Sequence, residues 1–294
     1  MQVIYKVDIV FLVLQACLIV GIGGALAFAL GSFVLFGFVL GIVSIYLYRG
    51  LRRPFRRYRA IKKPFPEPWR NFLSQNSVFY RNLNIEGKTH FENDLRLFLT
   101  EYSISGIQGH EVNLDTKLLV AAGVVTVIHG RPYWEPPLRD GILVYPGESF
   151  NQRYELNRGN RIGLATINSP LILTEASLKE SFLRADDGHN VVIHELAHYF
   201  DFEDGKAKGI PSAWMNQLDY EKWKTIIHDE YENAGRGISF LRDYAGTNEA
   251  ELFAVAVECF FENPRLMVEN NPQLYHLLKD FFNLDTLNIM EIKQ

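Results

Sequence analysis

At 294 residues, 48% apolar and 22% charged, the chain has the composition of a folded protein with room for one large domain or two ordinary ones, which excludes long disorder, collagen-like repeats and a disulfide scaffold. Its net charge of −4 is unevenly spread, because residues 1–63 carry nine basic side chains and one acidic one, leaving −12 for the remainder. That acidic remainder lacks the basic face that phosphate neutralisation requires, so no nucleic-acid partner is expected. Cys17 and Cys259 are far apart in the chain and form no disulfide framework, which is compatible with a reducing compartment.

From Ile9 to Tyr48, 40 consecutive residues include no Asp, Glu, Lys, Arg or His. A single helix needs only ~20 residues to cross a bilayer, so the run predicts a transmembrane helical hairpin over residues 1–48, with a turn near Gly31-Ser32 and spans Ile9–Leu30 and Phe33–Tyr48. Tyr46 and Tyr48 sit where an aromatic belt is expected. The eight Lys or Arg between Arg49 and Lys63 form a basic juxtamembrane linker that marks the cytoplasmic side. The lipid bilayer is thus an expected partner, with multi-pass insertion in the cytoplasmic (inner) membrane and the C-terminal domain facing the cytoplasm. A cleaved signal peptide ending near Ala25-Leu26-Ala27 is the alternative, although Asp8 fits its basic n-region poorly. Gln15 is the only strongly polar side chain in the run, which argues against a transport path. Gly37, Gly41 and Ser44 form a small-residue face that lets another helix approach closely, with packing within the hairpin favoured over dimerisation.

Pro64, Pro66 and Pro68 interrupt any helix leaving the membrane and set the start of a single domain, residues 64–294. Apolar spacing predicts helices over 91–102 and, of the buried kind, 116–128. Gly141–Pro146 and Pro170–Thr174 read as short strands, with Gly-rich and Asn-rich turns between them, and helical patterns return over 188–201, 213–231, 248–262 and 273–282. A small sheet followed by helices predicts an α+β domain.

The segment from Asp187 to Asp201 contains His194-Glu195-x-x-His198. On a helix, histidines four apart project from one face and can hold one metal ion, while Glu195 reaches a water on that ion without occupying a coordination position. Val191, Val192, Ile193, Leu196, Ala197 and Phe200 make this helix apolar nearly all round, and a buried helix carrying His, Glu and His needs compensation for them. Asp201 shares the histidine face and is a candidate to orient an imidazole, or else a solvated carboxylate at the helix end. His110-Glu111 lacks a second histidine at the fourth position and has no assigned role.

A zinc hydrolase site needs a third protein ligand. No His-x-x-Gly-x-x-His continuation follows His198, which excludes a third histidine of that class and leaves a glutamate on the helix after Tyr244. At ~100° per residue, Glu249 lies about 160° from Glu251, whereas Glu258 returns to within about 20° of it. Glu251 and Glu258 are nevertheless about 10.5 Å apart along the axis, so one binds and the other supports.

His-Glu-Leu-Ala-His-Tyr-Phe-Asp (194–201), Tyr-Ala-Gly-Thr-Asn-Glu-Ala-Glu-Leu-Phe-Ala-Val (244–255) and Glu-Cys-Phe-Phe-Glu-Asn-Pro (258–264) resemble the Mlc titration factor A family of zinc-dependent peptidases, of the gluzincin type. Pro-Trp-Arg (68–70) and Leu-Leu-Val-Ala-Ala (118–122) look like earlier segments of that family, and the apolar hairpin departs from its soluble form. The resemblance implies a zincin-like domain with one Zn2+ held by His194, His198 and Glu251. Glu195 would be the general base, Tyr244 would stand near the developing oxyanion, and Glu258 would bond a ligand histidine from behind. Pro170, Leu171, Ile172, Leu173 and Thr174 are the candidate edge strand for an extended substrate. The expected activity is hydrolysis of a peptide or protein substrate. The alternative is a catalytically weak regulator that uses the same zinc domain to bind and sequester a protein partner.

Overall fold

The computed structural model describes residues 1, 6–107, 109–138, 141–146, 170–184, 187–203 and 205–291. The expected Gly-rich and Asn-rich turns between the second and third strands lie outside them. The chain divides near Pro64 into two units.

The N-terminal unit is a pair of helices, α1 (Lys6–Ala29) and α2 (Phe33–Lys62), both long and apolar enough to cross a membrane. The turn between them follows from Gly31, whose φ of 59° is costly for any residue with a Cβ. With that residue left-handed, the Ser32 N–H reaches back to the Ala27 carbonyl at 2.9 Å, closing α1, while the Ser32 hydroxyl accepts from Leu35 N–H and opens α2. Apolar side chains point outward, with Phe28 90% and Phe33 93% exposed. The Tyr46 hydroxyl donates to Gln15 Oε1 across the hairpin, so that oxygen is not left bare.

Two expectations change here. The small-residue face of Gly37, Gly41 and Ser44 does not serve the hairpin: a Cβ on Gly37 or Gly41 would meet nothing within 4 Å, and the close approaches are Gly23 to Val39 and Gly50 to Leu12. The basic linker is also not a separate segment, because α2 continues through it to Lys62. Pro54 removes one helical N–H, yet the helix continues past it.

The C-terminal unit is mostly helical. Pro66 and Pro68 open α3 (Glu67–Asn76), followed by α4 (Val78–Asn82) and α5 (Ile85–Glu101). Strand β1 (Ile104–Gly106), helix α6 (Leu114–Ile128) and strand β2 (Ile142–Tyr145) form a crossover, and β3 (Leu171–Thr174) adds to the far side of β2. All pairings are parallel, with Ile104 opposite Ile142 and Ile142 opposite Leu171. Parallel strands need such crossovers and have both faces covered, which accounts for the buried Val144, Leu171 and Leu173. The sheet has strands of only three or four residues, so it is a minor part of a helical domain rather than one layer of an even α+β division.

Helix α7 (Glu175–Leu183) leaves β3 directly and is followed by α8 (Val191–Phe202), α9 (Gln217–Gly235), α10 (Glu249–Glu262), α11 (Pro264–Asn270), α12 (Pro272–Phe282) and α13 (Thr286–Glu291). Asn caps open α8, α9 and α10 through Asn190, Asn216 and Asn248, each contributing on the order of 1 kcal/mol. One side of α8 is fixed by an aromatic cluster in which the Phe200 ring meets Trp134, Trp214 and Phe281 at centroid distances of 5.1 to 6.1 Å. Its other side packs against α10 and carries the polar residues.

Candidate metal centre

Helices α8 and α10 are apolar enough to be buried almost entirely, yet His194, Glu195, His198 and Asp201 on the first and Glu251, Glu258 and Glu262 on the second are all buried with them. Such groups need partners of opposite or complementary character. His194 Nε2 lies 3.0 Å from Glu251 Oε2, His198 Nε2 lies 3.3 Å from the same oxygen, and the two imidazole nitrogens are 3.2 Å apart. A tetrahedral ion with arms of ~2.0–2.2 Å has ligand-to-ligand edges of about 3.3–3.6 Å, so these three donors stand close to the spacing that one ion imposes. Two imidazoles and one carboxylate are also a donor set that zinc accepts, and this is the one metal-compatible cluster among the described residues.

Behind His194, Glu258 Oε1 is 2.6 Å from Nδ1, and Glu258 Oε2 accepts from Asn190 N–H at 2.6 Å. A carboxylate there fixes the imidazole tautomer, with the proton on Nδ1 and the Nε2 lone pair aimed at the cluster. Burial opposes a positive charge on His194, but the charges of Glu258 and Glu251 and their hydrogen bonds prevail, so the site favours a cation at Nε2, a proton or a metal ion. Burial likewise works against ionised Glu251 and Glu258, yet the histidines outweigh it and hold both below the usual carboxylate range. Arg242 adds to this: its Nη2 donates to Glu258 Oε1, lies 3.4 Å from His194 Nδ1, and its guanidinium stacks on the Tyr244 ring at 5.4 Å.

The remaining predicted residues divide. Glu195 is buried on α8 beside the two histidines. Tyr244, on a 3-10 turn just before α10, has its ring 5.9 Å from that of His194. Asp201 is placed differently from either expectation: fully buried, it accepts from the backbone N–H groups of Lys208, Gly209 and Ile210, pinning the loop after α8 rather than an imidazole. Glu249 faces away, 41% exposed and 3.8 Å from His228. Pro170 precedes β3, where Leu171–Thr174 pair with β2, and Thr174 also caps α7 through Ser177 N–H. His110, with no assigned role, pairs with Glu175 at 3.3 Å.

Three residues of the site have no counterpart among the expectations. Asn190 precedes an apolar helical run, which is an N-cap signal that was open to reading. Glu262 accepts from Asn190 Nδ2 at 2.9 Å, and burial together with the nearby charge of Glu258 pushes its pKa up to about 8. Arg242 lies before a 3-10 turn, and no periodicity relates it to the histidines.

Known proteins are similar to this chain over much of its length. The family model described as glucose-regulated metallo-peptidase M90 matches residues 52–283. The protein slr2042 of Synechocystis sp. is 28% identical over 250 residues, covering 79% of this chain and 89% of its own length. Mlc titration factor A of Escherichia fergusonii is 26% identical over 237 residues, 75% of this chain and 87% of that protein. The corresponding protein of Cronobacter sakazakii is 28% identical over 212 residues, 67% and 79% respectively. The family match takes in α8, Tyr244 and α10 and runs through most of the C-terminal unit, and on that extent the chain belongs to the glucose-regulated metallo-peptidase M90 family.

Proposed function

We propose that this protein is a membrane-anchored zinc metallopeptidase with a zincin-like catalytic domain facing the cytoplasm, acting on a peptide or protein substrate. The observation that carries the reading is the convergence of His194 Nε2, His198 Nε2 and Glu251 Oε2 beside Glu195, in a chain of a metallopeptidase family. Zinc at that point would supply Lewis acidity to a scissile carbonyl and lower the pKa of a water. Glu195 takes the proton from the attacking water and delivers it to the leaving amine. Tyr244, its ring braced by Arg242, donates its hydroxyl proton toward the oxygen on which negative charge develops. Glu258 keeps His194 in the tautomer that leaves Nε2 a donor of electrons. Backbone groups of Leu171–Thr174 are suited to pair with an extended substrate.

The test is hydrolysis of a peptide library by the purified chain, wild type against Glu195→Gln, with bound zinc measured on both. The amide cannot accept the proton while all three ligands remain, so activity should fall ~10²–10⁴-fold at unchanged zinc content. Equal turnover would overturn the peptidase mechanism.

A second reading has the printed name of the relatives behind it: a titration factor suggests a protein bound and held, here at the membrane, by a domain of weak activity. The same variant separates the two. A sequestering regulator keeps its cellular effect with glutamine at 195, whereas a peptidase loses it.

A further inference from the structure

Helix α2 leaves the apolar run with three unlike sides. Two contacts fix how it lies along α1: a Cβ on Gly23 would stand 2.7 Å from Val39, and one on Gly50 would stand 2.5 Å from Leu12. Both pairs belong to one antiparallel register, in which Val13 is level with Arg49, Val10 with Arg52 and Ile9 with Arg53. Helix α1 keeps a 21-residue apolar span, Ile9–Ala29, rising about 31 Å, whereas the charge-free part of α2 from Phe33 to Tyr48 rises only about 24 Å. The first arginines of α2 therefore stand beside the first apolar turns of α1, where Val10 and Val13 are 56% and 47% exposed.

At ~100° per residue, Arg49, Arg52, Arg56, Arg59 and Lys63 fall within an arc of about 80°, and Tyr48, Leu51, Phe55 and Tyr58 within an adjacent arc of about 80°. The third side, with Val39, Val43 and Gly50, packs on α1. The aromatic side is exposed, and cations overhang it, Arg59 at 5.1 Å from the Phe55 ring and Lys62 at 5.7 Å from that of Tyr58.

We propose that the exposed side of α2 carrying Arg49, Arg52, Arg56 and Arg59 is a binding surface for anionic phospholipid headgroups, Arg57 being buried on the other side. The proposal rests on the membrane-anchor reading. Arginines level with an apolar helix cannot stay in hydrocarbon, so their stems extend to the phosphate layer, where a guanidinium fork pairs with two phosphate oxygens. Tyr48, Leu51, Phe55 and Tyr58 bury their rings and side chains at the acyl boundary beside them. A net negative headgroup is favoured over a zwitterionic one because Arg49, Arg52 and Arg59 bring three positive charges to one side of the helix.

The test uses the full chain in nanodiscs of mixed phosphatidylglycerol and phosphatidylcholine, with the lipids retained on the protein counted by native mass spectrometry. Phosphatidylglycerol should be retained about tenfold over its share of the mixture, falling to near parity in Arg49→Gln/Arg52→Gln/Arg59→Gln, with the Arg→Lys triple variant in between. The wild-type ratio needs no variant to fold. Equal retention of the two lipids, or a preference untouched by the glutamine variant, overturns the proposal. So does absence of lipid preference with tight binding of an oligonucleotide, which would assign the surface to nucleic acid. Release of the chain from membranes by alkaline carbonate would overturn the anchor reading, and the headgroup surface with it.

Discussion

The hairpin and the α8–α10 pair are both built on apolar helical runs, with opposite outcomes. In α1 and α2 the apolar side chains are turned outward, and the one strongly polar residue of the run, Gln15, is turned onto Tyr46. In α8 and α10 the apolar side chains are turned into a core, and seven His, Asp and Glu residues are taken in with them. Apolarity alone does not say which way a helix faces. Length, flanking charge and the presence of mutually compensating polar groups do.

Removing one side of that contrast gives the largest effect. Deletion of residues 1–63 should move the protein from an alkali-resistant membrane fraction to the soluble fraction outright, and a C-terminal reporter on the full chain should be active on the cytoplasmic side; activity only on the far side would reverse the orientation. On the other side, Glu251→Gln should abolish tight zinc binding, as titration of the purified variant would show, and full affinity would exclude this oxygen as a ligand. Glu258→Gln acts through His194 and should weaken zinc ~10–100-fold. Glu249→Gln, which faces His228 instead, should leave it unchanged. A different readout, pH-dependent stability, concerns Glu262. Its carboxyl is held neutral in the folded protein up to about pH 8 but ionises near 4.5 when unfolded. The stability it contributes is present below pH 4.5 and lost as pH rises to 8, by at most about 1.4 kcal/mol per pH unit. Glu262→Gln should flatten that slope in chemical denaturation curves, and an unchanged slope would mean that the carboxyl is already ionised.

Much of this was legible in the chain because it depends on local period and spacing. The turn at Gly31-Ser32, the helices around 191–202 and 249–262, and the strands at 142–145 and 171–174 all follow from breakers and apolar repeats within a few residues of their observed ends. Helices α3, α4, α7, α11 and α13 were not foreseen. Each is ten residues or fewer and held by its neighbours, and short helices have weak periodicity. The site divides in the same way. Helix angles put Glu251 and Glu258 on one face, and the family resemblance then implied that Glu258 supports a ligand histidine, which is His194. The positions of Arg242 and of Asp201's carboxylate depend on how loops return to those helices, and angles along one helix cannot supply that.

Asn190 ends one story and begins another. Its side-chain oxygen accepts the first amides of α8, its amide donates to Glu262, and its own backbone N–H donates to the carboxylate that holds His194. The start of a helix, a buried acid and the aim of an imidazole are thereby joined at one hinge pin. Drift in any of them is transmitted to the others, so replacements along this line are expected to be tolerated as coordinated sets and not one at a time, and looseness at the end of the helix would be felt first as a misdirected ring at its second turn.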